Sequence, residues 1–246
     1  MYLSILFLKK FERVEKMSLF TISDLHLPLG INKPMDIFGS EWDNYVEKLH
    51  NNWQAIVGDD DLVILPGDFS WASYLDEAKK DFEFLDNLNG KKVILKGNHD
   101  YWWTTKNKMD KYLKENRFDS IKILHNDYVM YENIAICGNR GWMYDKKSED
   151  DKKIYAREIV RLSLSIEAAK EENPEEIFVF THFPPISDNI YENEFTEVLK
   201  KYGVSKCFFG HLHGESKRHA TEGVIGGIEY RLISADYRKF IPYKIL

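Results

Sequence analysis

Lys92-Val93-Ile94-Leu95-Lys96-Gly97-Asn98-His99-Asp100 joins a short apolar run to a glycine and three polar side chains, with only Lys96 between them. The run is too brief for a helix and shows no apolar–polar alternation, so it reads as a strand buried on both faces, as in a sheet covered by helices. The glycine permits a tight backbone turn. In open α/β sheets, sites form beyond the carboxyl ends of the strands, and a cluster of Asn, His and Asp stands at such an end here.

The same arrangement recurs on both sides of this stretch. An apolar run over residues 19–22 leads into Asp24-Leu25-His26, and one over 62–65 into Gly67-Asp68. Downstream, a run over 177–180 leads into His182-Phe183-Pro184-Pro185, and one over 207–209 into Gly210-His211-Leu212-His213. Each run, including that over 93–95, ends at a residue able to bind a metal. Asp24/His26 and His211/His213 are i,i+2 pairs, which share one side of an extended segment. Glycines ahead of Asp68, Asn98 and His211 suit the turns that a convergence of strand ends demands. Each motif is commonplace alone; the set in this order is not.

Further strand-like pieces cover 121–124, 128–131, 134–137 and 227–234. Helical stripes at 3–4 spacing are Trp42, Val46, Leu49, Trp53 and Ile56; Leu75, Ala78, Phe82, Leu85 and Leu88; and Tyr155, Ile159, Leu162, Ile166 and Ala169. The first has Ser40 ahead as a cap and Gly58 behind as a stop. Strands alternating with helices predict an α/β architecture. No repeat, low-complexity tract or linker divides the chain, so a single domain is expected over 17–246, with residues 1–16 as an N-terminal extension outside the core.

Composition limits the function. The chain has 246 residues, 43% hydrophobic and 30% charged, with a net charge of −6, ordinary for a soluble protein with a sizeable core. Nucleic-acid binding draws affinity from basic surface, and no Lys/Arg block of that kind appears, so such a partner is disfavoured. Cys137 and Cys207 lie inside apolar runs and read as buried free thiols in a reducing compartment. The apolar residues 2–8 are too few to span a bilayer, which needs about 20. The Lys9-Lys10 pair follows them, the reverse of signal-peptide order. No membrane association and a cytoplasmic location are expected.

The series D-x-H, G-D, G-N-H-D, a lone His and G-H-x-H, running from Asp24 to His213, resembles the calcineurin-like metallophosphoesterase superfamily. The resemblance implies a four-layer α/β/β/α sandwich of two facing mixed sheets flanked by helices. It implies a binuclear site with Asp24, His26 and His213 as terminal ligands of one metal and Asn98, His182 and His211 of the other. Asp68 bridges both, and His99 is the catalytic histidine beside the phosphate. Imidazole and oxygen ligands without thiolate suit two divalent ions drawn from Mn, Fe, Zn or Co, with Mg less well matched. The implied reaction is attack of a metal-bridging hydroxide on a phosphate ester. With two carboxylates, neutral imidazoles and the Asn98 amide, such a site keeps a positive charge that attracts phosphate.

Other residues have weaker claims. Asp100 is an orienting partner for His99, and Arg140, between glycines in Gly138-Asn139-Arg140-Gly141-Trp142, is a fork-like donor to phosphate or a surface arginine. Trp102 and Trp103 either wall the pocket or pack beneath it. His50, His125 and His219 read as structural, Pro184-Pro185 as fixing the loop after His182, and 145–153 as a solvated loop leading into a helix. Protein phosphatases of this superfamily carry Asp-Arg-Gly after the second motif; Gly67-Asp68-Phe69-Ser70-Trp71 lacks that arginine, which disfavours a protein substrate. Its repair nucleases carry further domains after the core, and the segment after His213 is expected to be too short for one. Cleavage of a cyclic nucleotide or other phosphodiester fits the G-N-H-D form and His213, and a small phosphomonoester or a nucleotide diphosphate is the alternative substrate. The competing reading is a non-catalytic metal-binding scaffold on the same fold; relatives of that kind typically lose a ligand or the catalytic histidine, and here both Asn98 and His99 are present.

Overall fold

A computed structural model describes residues 17–143 and 148–246. Residues 1–16, read above as an extension, lie outside the described residues, as do 145–147 of the loop predicted over 145–153; the rest of that stretch is the cap residue Ser148 and the start of a helix that begins at Glu149.

The elements run β1 (Leu19–Thr21), α1 (Tyr45–Ile56), β2 (Leu62–Pro66), α2 (Lys79–Asp86), β3 (Lys91–Leu95), α3 (Lys106–Asn116), β4 (Ile121–Ile123), β5 (Tyr128–Tyr131) and β6 (Ile134–Asn139). They continue with α4 (Glu149–Lys170), β7 (Glu176–Thr181), α5 (Glu194–Lys201), β8 (Lys206–Phe209), β9 (Gly223–Ile225), β10 (Ile228–Leu232) and β11 (Tyr243–Lys244). Two sheets result, ordered β11-β1-β2-β3-β4 and β5-β6-β7-β8-β10-β9. Strands β1 to β4 are parallel, as are β6, β7, β8 and β10, with antiparallel strands at the edges.

Period-two alternation divides each apolar run between two cores. Leu62 and Ile64 of β2, Val93 and Leu95 of β3, and Phe178 and Phe180 of β7 fill the space between the sheets. Val63, Leu65 and Ile94 point the other way, against Leu49, Trp53, Phe82, Leu85, Met109 and Leu113 of α1 to α3. Val179, Cys207 and Phe209 pack with Tyr155, Leu162, Ile166, Phe195 and Leu199 of α4 and α5. The architecture is therefore the expected four-layer sandwich. Uninterrupted apolar runs are required because each strand faces a core on both sides.

Several local readings shift. The buried face of α1 is Tyr45, Leu49 and Trp53, its N-cap is Asn44, and Ile56 is exposed; Trp42 belongs to a preceding 3₁₀ turn. Helix α2 begins after Leu75 and ends before Leu88. The strand predicted over 227–234 is β10, and β9 just before it pairs with it as a hairpin. Helices α3 and α5 and strand β11 carried no sequence signal noted above. The long helix α4 starts at a capping box between Ser148 and Asp151.

Candidate metal centre

Parallel pairing brings the carboxyl ends of β1, β2 and β3 to one edge of the first sheet and those of β7 and β8 to the matching edge of the second. Beyond β1 and β2 the chain leaves regular pairing but stays joined, as Asp24, His26 and Leu27 donate their N–H groups to the carbonyls of Gly67, Asp68 and Phe69. Asp24 (φ 57°), His26 (47°), Asp68 (52°) and His211 (71°) all adopt the left-handed region. That conformation costs a residue with a side chain on the order of 1–3 kcal/mol and concentrates at functional sites. Here four such residues occupy the ends of three strands that converge on one point.

The glycines act chiefly through close approach. A Cβ on Gly97 would lie 2.1 Å from Asp68 Oδ1, and one on Gly210 would lie 2.5 Å from Asp24 Oδ2. Neither has a positive φ, so the turn argument applies only to Gly67 (φ 95°); the other two make room for carboxylates.

All seven predicted ligands meet. Asp24, His26 and His213 each place a ligand atom within 4.8 Å of the others, and so do Asp24, Asp68 and His182. Asp24 is common to both groups, and Asp68 Oδ2, 3.4 Å from His182 Nε2 and 3.7 Å from His26 Nε2, reaches a histidine of each. Asn98 Oδ1 sits 2.6 Å from His182 Nε2 and 3.0 Å from His211 Nδ1. Asp24 accepts from Ser23 Oγ (2.6 Å) and from the backbone N–H of His211.

Three observations fit these residues to cations. First, both ring nitrogens of His26 and Oδ2 of Asp68 are buried without a hydrogen-bond partner, a state costing roughly 1–3 kcal/mol for each neutral group. Second, His182 directs Nδ1 to the Pro66 carbonyl at 3.2 Å, which keeps the proton there and leaves Nε2 as a lone pair. Burial pushes the His182 imidazole down to about 3 and that of His211 down to about 4, each neutral at pH 7. A lone pair facing the Asn98 oxygen at 2.6 Å is repulsive unless a positive charge serves both. Third, burial pushes the Asp68 carboxyl well above the usual range, with the carboxylates of Asp100 and Asp24 adding to it. A nearby cation reverses that effect.

His99 is half-buried; its backbone N–H donates to Asp68 Oδ1 at 2.7 Å, and its ring lies 5.7 Å from that of His26 and 4.7 Å from that of Trp71. Its Nδ1 has no hydrogen-bond partner. The expectation that Asp100 orients His99 is therefore corrected. The Asp100 carboxylate accepts from the N–H groups of Gly97, Asp68, Phe69 and Ser70 and from Trp102 Nε1. It ties the turn after β3 to the turn after β2, and its role is to hold Asp68 and Asn98 in place. Trp102, packed on Phe69 and Phe82, is core beneath the site; Trp103 is half-buried beside His125.

Arg140 stands next to the cluster rather than in it. Its carbonyl accepts from the N–H groups of His182 and Phe183, while its guanidinium leans on the Trp142 ring at 4.5 Å and faces Glu158 at 3.7 Å. His50 and His219 are exposed and belong to neither group of ligand atoms within mutual reach. Sequence reasoning passed over Lys33 and Trp71. The Trp71 ring stacks on His26 (4.4 Å), and Lys33 Nζ lies 3.0 Å above that indole. The position of Trp71 three residues after Asp68 was the available signal; nothing marked Lys33.

Fold and cluster together define a two-sheet α/β protein whose strand ends assemble buried Asp, Asn and His side chains able to hold metal. The sequence model of the calcineurin-like phosphoesterase family matches residues 17–215, and the chain belongs to that family. No curated protein matches the chain. Among solved structures, a Thermus thermophilus protein is similar at 12% identity and TM-score 0.58, covering 93% of this chain and 97% of its own. A phosphopantetheinyl hydrolase from Mycobacterium tuberculosis is similar at 14% identity and TM-score 0.52, covering 94% and 96%. A protein of unknown function from Aquifex aeolicus gives 15% and 0.51, covering 93% and 95%. At these identities the likeness concerns the fold. No helix among the described residues is long and apolar enough to cross a membrane.

Proposed function

We propose that the protein is a phosphohydrolase dependent on two divalent cations, cleaving a phosphodiester or a small phosphomonoester. The observation that carries this reading is the meeting of seven ligand-type side chains from five strand ends, with buried lone pairs left unsatisfied at their centre. Asp24, His26 and His213 hold one cation, Asn98, His182 and His211 the other, and Asp68 is shared. When bound, the cations supply Lewis acidity to activate water and positive charge to neutralise phosphate. Mn, Fe, Zn or Co fit the donor set better than Mg.

His99 moves the proton. Burial lowers its pKa, followed by the charge of Lys33, so its ring is neutral near pH 7 until an anionic phosphate beside it raises its proton affinity. A proton then held on the ring is available to the leaving alkoxide. Asp100 fixes the loops and takes no proton in this scheme. A cytoplasmic location belongs to the same reading, supported by the free buried thiols of Cys137 and Cys207.

The test is a hydrolysis panel on metal-stripped protein with Mn, Fe, Zn or Mg restored. Bis-aryl phosphate, aryl monophosphate, cyclic nucleotides and a phosphopeptide form the panel. A phosphopantetheinyl ester is added because one structural neighbour is named for that activity. Turnover of a diester or small monoester that requires added metal is expected. None on any substrate would leave the scaffold reading in its place.

A further inference from the structure

Beside the metal centre lies a recess lined by Lys96, His125, Asn126, Arg140, Glu158 and Arg161. Its position follows from the sheet order. Lys96 directly follows β3, and His125 follows β4, the parallel neighbour of β3; Arg140 follows β6, the parallel neighbour of β7. The recess therefore occupies the same edge of both sheets as Asn98 and His182, one strand further out. Strands are about 4.8 Å apart, so the recess begins one strand spacing, ~5 Å, from Asn98 and His182. Arg140 is near enough to Asp68 for their charges to interact.

Its charge is unbalanced. Three cationic side chains line it against one carboxylate, Glu158, which is 1% exposed. That carboxylate bonds Arg161 at 2.7 Å and stands 3.7 Å from Arg140, and the exposed Arg157 also approaches it at 3.9 Å. Lys96 makes no ion pair among the described residues, and the Nε of Arg140 is buried without a partner. The indole N–H of Trp103, whose ring neighbours His125, is likewise buried and unpartnered. In a chain of net charge −6, such crowding of part-buried cations is costly unless an anion joins them. Guanidinium forks match the oxygens of phosphate.

We infer that this recess is an anion subsite for a second phosphoryl group of the substrate, a few bonds from the one held at the metal centre. The substrate class is then a phosphate ester or anhydride carrying two phosphoryl groups. This rests on the phosphohydrolase reading above, and two readouts separate their failures.

The first readout is calorimetric titration of the Mn-loaded full chain with inorganic pyrophosphate and with inorganic phosphate, the metal content being assayed before and after. Pyrophosphate is expected to bind at least tenfold tighter than phosphate. Lys96→Gln and Arg161→Gln should each remove most of that preference, whereas Glu158→Gln, which deletes the negative charge, should increase it. The Glu158 variant covers the case in which loss of Arg161 harms folding. The second readout is metal-dependent turnover of an aryl monophosphate. If turnover is present but the preference for pyrophosphate is absent, or untouched by all three substitutions, the subsite is overturned. If no ester is turned over but a Lys96- and Arg161-dependent preference persists, the subsite stands and the phosphohydrolase reading falls.

Discussion

Asp68 Oδ2 lies within 3.7 Å of histidine nitrogens from both sheets, and its Oδ1 is held by the His99 N–H. No other side chain of the cluster has one oxygen free for ligands and one anchored to the chain in this way. Asp68→Ala is expected to empty both metal positions, read by elemental analysis of purified protein; two tightly retained ions would break the assignment of the shared ligand. His99 contributes no atom to either group of ligand atoms within mutual reach. His99→Ala should therefore keep full metal content while turnover falls about 10²- to 10⁴-fold, the usual contribution of a positioned acid. An unchanged rate would remove it from the reaction. The same pair shows why roles differ for neighbours in sequence: Asp100, next to His99, points into the loop backbone and meets five donors there.

Helix α2 works as a clamp on the loops around the site. Asp81 in its first turn accepts from the Leu29 N–H at 2.8 Å and from the Ser70 hydroxyl, joining the segment after β1 to the one after β2. Burial pushes its carboxyl up to about 6. A carboxyl whose folded pKa exceeds its unfolded value, near 3.9, contributes stability below that value and loses it as pH rises through about 6. At pH 7 the charged form thus weakens the fold by about 2–3 kcal/mol at roughly 1.4 kcal/mol per unit. Asp81→Asn keeps an acceptor for Leu29 and a donor for Ser70. In urea unfolding it should remove Asp81's share of the stability loss between pH 4 and 6, the buried Asp100 carboxyl, also pushed up to about 6, keeping its own share; parallel curves for the two proteins would contradict the assignment.

For the molecule as a whole, the centre exists only while the sheets stay in register with each other. Asp24, His26, Asp68 and Asn98 come from one sheet, and His182, His211 and His213 from the other. The contact between the sheets is a layer in which Phe180, two residues before His182, stacks on Phe208 with centroids 4.9 Å apart. Phe180→Ala should cost about 3–5 kcal/mol, the range for a large aromatic deleted from a packed core. It should also weaken metal binding under conditions where the variant is folded, measured by competition with a chelating dye. Stability lost without any change in metal affinity would mean that the two halves of the site hold their spacing independently.

Linear order alone carried the α/β class and the seven ligand-type residues, because buried strands must be apolar on both faces and because each such run stops at a polar group suited to metal. The resemblance to a family added the pairing of two sheets. The start of α1 was read one turn too early because Trp42 continues the 3–4 spacing, although the helix begins only at Tyr45. Helix α3 escaped notice since its lysine-rich surface buries just Met109 and Leu113. The bonds of Asp100, the stacking of Trp71 on His26 and the gathering of Lys96, Arg140 and Arg161 around Glu158 all depend on which strands become neighbours. That choice is made by long-range packing between segments far apart in the chain, so no local pattern of residues encodes it.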